Sequence, residues 1–376
     1  VSYLSQAANA VVAGHRPVVL GYAVIFSEAA KLSVGYPLLV IFKVGIDGVI
    51  LAVLVANLAQ SVASVALAGD ATSNPVSFEQ GKKWLTHSWL PLLTTLPYML
   101  GIADTFVASL ADRNTILVAH YQAAFSVAAL AGYSLYLASA MYPLLLKGGS
   151  DDVTTMTLDL ALAFGIPMAV GAAVLAGPIL HLLNNFLYLD ASLALGILAM
   201  AALANTVTSF FDQVLLGKDR VDVDESAKFS DYLRSSILFV AKVNLALCLV
   251  YLASVYLSVA VGLAYGLSTA STIELWALAQ LAIFVTGILI KARRIRRVGK
   301  LVAPPSIGYY ILGAGLMAVV TYLLEPLIIY GRGTFFLAFE LVVVGGAGLA
   351  AYGAFVLALD RTLREFAVRV LREALT

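Results

Sequence analysis

The chain has 376 residues, of which 61% are hydrophobic and only 12% charged, with a formal net charge of +1. Soluble globular domains carry about 25% charged residues, so an ordinary soluble domain is excluded and a lipid-embedded chain is indicated. The net charge itself discriminates nothing, because the charges collect in loops of one sidedness.

Residues 1–13 (VSYLSQAANAVVA) read as the end of another helix, with no basic stretch of the kind that opens a signal peptide. The chain begins with Val, and an N-terminal truncation is expected. Apolar runs then recur at roughly 17–42, 45–69, 88–111, 115–146, 156–183, 190–216, 235–260, 271–291, 306–330 and 334–359. Each approaches the ~20 residues that cross hydrocarbon as a helix. In lipid the backbone must satisfy its own hydrogen bonds, so these runs are predicted helices, and the alternation of a β-barrel is absent from the sequence. The run 115–146 is long for one span and is expected to tilt or to extend into the cytosol. The tail (DRTLREFAVRVLREALT) places Leu363, Phe366, Val370 and Leu371 between arginines, the pattern of an amphipathic surface helix. The expected fold is an all-α polytopic membrane protein of about ten transmembrane helices.

Loop charges orient it. With the loop of Arg16 inside, alternate connections hold Lys82 and Lys83; Lys147; Lys218, Arg220, Lys228 and Arg234; the run from Lys291 to Lys300; and the tail arginines, for 18 basic residues, against 3 (Lys43, Arg113, Arg332) on the other side. Basic residues concentrate on the cytoplasmic side, so a cytoplasmic C-terminus and a multi-pass protein of the cell membrane are expected. The run KARRIRRVGK (291–300) reads as a topology signal beside anionic lipid headgroups rather than a nucleic-acid site. Cys248 is the single cysteine and lies in a span, so disulfides play no part.

Two charges break the apolar pattern. Lys31 and Lys242 fall deep inside predicted spans, where a cation costs at least ~2.5 kcal/mol. Such a charge persists when it lines a polar pathway or pairs with an anion, which points to transport of something anionic. Glu28 lies three residues before Lys31, on the same helix face, and offers simple neutralisation as the alternative. Ala30-Lys31-Leu32 and Ala241-Lys242-Val243 are each followed by a Gly-punctuated connection (VGIDG, VGLAYG), which suggests a parallel repeat facing one cavity. Asp104 sits late in its span, where a hydrogen-bonded structural role or a pair with Lys242 is open. Tyr98, Tyr121, Gln122 and Asn205 are at membrane depth and suit either sugar hydroxyls or interhelical contacts.

The order of segments carries a resemblance. A span ending Gly101-Ile102-Ala103-Asp104 is followed by HYQAAFSVAAL (120–130), SAMYPLLLK (139–147), FGIPMAVGAAVLAGPILHLL (164–183), LNNFLYLDAS (183–192) and QVLLGKDR (213–220). From about Trp89 to Arg220 this resembles the seventh to tenth helices of the polysaccharide and lipid-linked oligosaccharide flippases in the multidrug/oligosaccharidyl-lipid/polysaccharide exporter superfamily. The resemblance implies a two-lobed bundle whose first lobe is incomplete here. Residues 1–84 would be its remnant and a linker, 85–300 the C-terminal six-helix lobe, and 301–376 a helix pair and cytoplasmic tail. It implies alternating access, with a lipid-linked sugar (pyro)phosphate as cargo and Lys31, Lys242, Glu28, Tyr98 and Gln122 as candidate headgroup contacts. In some relatives a seventh-helix carboxylate joins eleventh-helix polar groups in a sodium site, which makes Asp104 and Asn244 the candidates for coupling to sodium or protons. No cofactor is expected. A multidrug antiporter of the same superfamily is the nearer alternative. A membrane sugar-lipid transferase is the farther one. The acidic pairs Asp151-Asp152 and Asp222-Val223-Asp224-Glu225 lie in short loops, and the four histidines lack metal spacing, so an enzyme is not expected.

Overall fold

In the computed structural model, residues 17–68, 89–113, 115–134, 151–219, 229–298 and 304–365 are described, with isolated positions before residue 13, between 78 and 82, and at 368. The described residues are helical and contain no strand. Among the described residues, eight helices are long and apolar enough to cross a membrane, or nine if one bent pair is a single span. Large apolar side chains such as Leu312 (64%) and Val342 (72%) are exposed, while Lys291 is at 1%. That inversion suits a protein surrounded by hydrocarbon, and the chain is a multi-pass membrane protein. Several expectations lie outside the described residues: the span beyond 134, Lys83, Lys147, Arg220, Lys228, Lys300, the acidic loop 222–225 and most of the tail beyond 365.

Two compact units divide the chain, Val1–Thr86 and His87–Thr376. In the first, α1 (Pro17–Tyr36) runs into a π-helical turn at Pro37–Ile41, and α2 (Ile46–Ala68) packs against α1. The turn between them holds Gly45 at φ +73, a left-handed conformation that glycine adopts at no steric cost. Ser27 Oγ donates to Ala56 O at 3.3 Å across the two helices.

The second unit begins with α3 (Trp89–Gly101) and α4 (Asp104–Ala111), then α5 (Thr115–Ala128), which tightens into a 3₁₀ turn to Ser134. Next come α6 (Asp151–Val174), α7 (Ala176–Asn184), a 3₁₀ turn over Phe186–Ala191, and α8 (Ser192–Lys218). The short α9 (Phe229–Arg234) leads into α10 (Ser236–Ala264), followed by α11 (Thr269–Val298), α12 (Ile307–Leu324) and α13 (Thr334–Leu359). The predicted span 156–183 is two helices broken at Leu175. Pro167 is carried inside α6, whereas Pro178 sits in the first turn of α7. Pro178 has no N–H for the carbonyl of Val174, and its ring crowds that carbonyl, so the helix ends there.

One core joins α4, α5, α7, α8, α10 and α11 around Tyr121, Leu195, Val255 and Trp276. A second joins α6, α8, α10, α11, α12 and α13 around Phe210, Ile295, Tyr310 and Val356. Tyr310 Oη donates to Asp360 Oδ2 at 2.8 Å, and Asp360 Oδ1 accepts the N–H groups of Thr362 (2.9 Å) and Leu363 (3.1 Å). Asp360 therefore caps the turn that opens the tail while anchored to α12. The α12–α13 pair approaches closely at Gly348, where an added Cβ would collide with the hydroxyl of fully buried Thr321. Gly348→Val is expected to destabilise the protein by about 1–3 kcal/mol, read as a lower melting temperature in detergent.

Candidate functional site

The bend between α3 and α4 sets the site. Pro97 lies inside α3, removing one helical N–H and crowding the preceding turn. Gly101 then ends the helix, and α4 leaves at 42°. Asp104 is the first residue of α4, 9% exposed, and its Oδ1 accepts the N–H of Thr105 at 2.7 Å. A carboxylate in the first turn faces the positive end of the helix dipole. Cys248 Sγ on α10 donates to Pro97 O at 3.2 Å, tying the bend to its neighbour.

Helices α5 and α10 bring hydroxyls to the Asp104 carboxylate, and α11 backs them. Tyr251 Oη of α10 donates to Oδ2 at 2.9 Å, and Trp276 Nε1 of α11 donates to Tyr251 Oη at 3.0 Å. Tyr121 of α5 stacks on Trp276, with ring centroids 3.6 Å apart and planes 7° from parallel. Tyr121 Oη lies 3.0 Å from Gln280 Oε1, 3.3 Å from Asp104 Oδ2 and 3.3 Å from Tyr251 Oη. It has one proton to donate, and the shortest of these contacts is to Gln280. Among the described residues, no three His, Cys, Asp or Glu side chains converge as metal ligands.

A second cluster lies further along α11. Lys291 Nζ donates to Asp212 Oδ2 of α8 at 2.8 Å and makes an ion-pair contact with Oδ1 at 2.7 Å. Asn244 Nδ2 of α10 donates to Asp212 Oδ2 at 3.0 Å. The Lys291 side chain is 1% exposed and that of Asp212 15%. Helices α8 and α11 close on each other beside the pair, because Gly287 has no Cβ to meet Thr208 Oγ1, which would lie 2.9 Å away. Eleven residues separate Gln280 from Lys291, about 16 Å of helix.

Both clusters line one cavity of about 830 Å³ in the second unit, a volume in the range of ligand sites. Its wall takes residues from α3, α4, α5, α8, α10 and α11. Of the residues singled out from the sequence, Asp104, Asn244, Tyr98, Gln122 and Asn205 line it. Lys242 is exposed and does not line it. Asp104 is paired with the two tyrosines, so the expected alternative of an Asp104–Lys242 pair is corrected. Asn244 shares the cavity with Asp104, but its amide is given to Asp212. Lys31 and Glu28 belong to the first unit, where Lys31 Nζ meets both Glu28 oxygens at 2.7 and 2.8 Å on an exposed helix face.

The assignment of Lys291 to a cytoplasmic loop is also corrected, since α11 continues to Val298 and carries Lys291 inward. The sequence alone assigns no cavity role to Lys291, Asp212, Gln280 or Tyr251. Their signal was helical spacing: Gln280, Phe284, Gly287 and Lys291 form one face of α11, and Asn205, Ser209 and Asp212 one face of α8.

No family model, curated protein or solved structure matches this chain.

Proposed function

We propose that the protein is a membrane transporter that passes a lipid-linked oligosaccharide or polysaccharide precursor across the cytoplasmic membrane by alternating access. The observation that carries this is a cavity among helices apolar enough to span a membrane, with a buried cation at one end and a hydrogen-bonded carboxylate at the other. Charged groups at that depth are costly and are retained where they line a pathway. The bend at Gly101–Asp104 gives the wall a hinge between two helix halves, an element able to absorb a change of conformation. Order and spacing of segments from Trp89 to Arg220 support the same superfamily of flippases. In this proposal Asp104 is the coupling site, taking a proton or sodium among the oxygens of Tyr121, Tyr251 and Gln280, while Tyr98 and Gln122 contact the headgroup. Orientation follows the basic loops, with the C-terminus inside.

Export of an organic cation is the second possibility, favoured by one feature: Asp104 sits beside stacked aromatic rings, the surroundings that attract cations. Proteoliposomes decide between them. The full-length protein should pass a labelled lipid-pyrophosphate oligosaccharide, and Asp104→Asn should slow that passage by roughly tenfold or more, the worth of one charge-assisted hydrogen-bonding group. Lys31→Ala and Lys242→Ala should each retain most of it, because Lys31 is neutralised by Glu28 and Lys242 lies off the cavity wall. Drug efflux without passage of any lipid-linked sugar would sink the flippase proposal.

A further inference from the structure

Lys291 is a cation held ready on the cavity wall. Its side chain is 1% exposed, and its ammonium group contacts both carboxylate oxygens of Asp212, which also lines the cavity. On the same stretch of wall, Thr208 Oγ1 is buried and makes no hydrogen bond, although Thr208 is only 6% exposed. Asn205 stands one turn away on the same face of α8. The wall thus carries a lysine with one carboxylate partner and, on the facing helix, a hydroxyl with no acceptor. Asp212 satisfies the charge and leaves the hydroxyl unmet.

We infer that Lys291, with Thr208 and Asn205, receives a phosphate or pyrophosphate group, and that Asp212 is the resident counter-ion which that group displaces. The inference rests on the transporter proposal and names the anion site within its cavity. Lysine serves phosphate as a point charge with three donors. A pyrophosphate that bridges sugar and lipid keeps a negative charge on each of its phosphates, more in total than a carboxylate, so it competes for Lys291. The resident pair is replaceable because the attraction within a buried ion pair is largely offset by the desolvation of both ions. In the exchange Asp212 keeps the Asn244 Nδ2 donor at 3.0 Å and loses its cation, so the attraction of the cargo for Lys291 must exceed that loss. The paired state therefore leaves neither Lys291 nor Asp212 without a counter-charge, and the loaded state shifts Lys291 onto the cargo.

Binding to the purified full-length protein in detergent tests this, with a prenyl pyrophosphate, the matching prenyl alcohol and inorganic pyrophosphate as probes. The wild type should bind the prenyl pyrophosphate and not the alcohol. Asp212→Asn removes the competing anion and should tighten binding several-fold. The double variant Lys291→Met/Asp212→Asn leaves no unpaired charge, so it keeps the fold, and it should bind roughly tenfold or more weakly, the loss of one charge-assisted contact. Equal affinity for inorganic pyrophosphate would support the site and assign it to the free anion, whereas preference for the prenyl form assigns it to a lipid headgroup. Wild-type affinity in the double variant, or no binding of either anion by the wild type, would overturn the role of Lys291. An Asp212→Asn protein that binds no tighter would overturn the counter-ion role. Passage of lipid-linked sugar in proteoliposomes is scored separately. Normal passage by the double variant rejects the anion site and leaves the transporter, while no passage by the wild type rejects the transporter whatever the binding shows.

Discussion

Lys291→Ala is expected to lower stability by about 3–5 kcal/mol, because it strips a buried carboxylate of its cation. Asp212 is 15% exposed and would retain the Asn244 amide at 3.0 Å. The cost belongs to the orphaned charge more than to the lost contact, so removing both charges should recover most of it. Lys291→Met/Asp212→Asn is expected to fall within about 1 kcal/mol of the wild type, since buried ion pairs are often replaceable by neutral groups of similar volume. Met preserves the unbranched stem, and Asn keeps an acceptor for Asn244. Thermal unfolding of both proteins in the same detergent checks the pair. Equal losses in the single and double variants would mean that packing around the lysine stem, rather than charge, is what the site supplies.

Trp276→Ala is expected to be about as damaging, at roughly 3–5 kcal/mol for a fully buried aromatic side chain. Trp276 is 0% exposed, stacks on Tyr121, and gives its indole N–H to Tyr251 at 3.0 Å. Its removal would empty the centre of the first core and free both tyrosines that hold Asp104. Trp276→Phe separates these contributions. It keeps a ring against Tyr121 and loses the N–H, so the hydrogen-bond share alone, about 1 kcal/mol, should be missing. Comparison of melting temperatures for the two variants measures the split, and a Phe variant as unstable as the Ala variant would place the hydrogen bond above the stacking.

Hydropathy located the helices because a lipid-facing helix must be apolar over most of its circumference. The break at Leu175 was harder to read, since both Pro167 and Pro178 interrupt the same apolar run and only the second ends a helix. Local sequence does not distinguish them. Asp104 and Asn244 were visible as isolated polar residues in apolar surroundings, and both reach the cavity. Lys291 and Asp212 were hidden for the opposite reason. Each lies about two turns from the end of its helix, ahead of a basic stretch, so a window average merges them with the loops. Their pairing depends on the register of α8 against α11, which is fixed by Gly287 meeting Thr208 and by no local pattern. Lys31 and Lys242 stood out by depth alone, yet one is closed on its own helix and the other is exposed.

The sulfur contact at the bend makes the protein a convenient object for labelling. Cys248 is the chain's only cysteine, it lines the cavity, and its thiol touches the carbonyl of Pro97. A chemical or spectroscopic probe carried by that one atom reports from the joint between the two helix halves, and residues 1–376 hold no second thiol to compete for it.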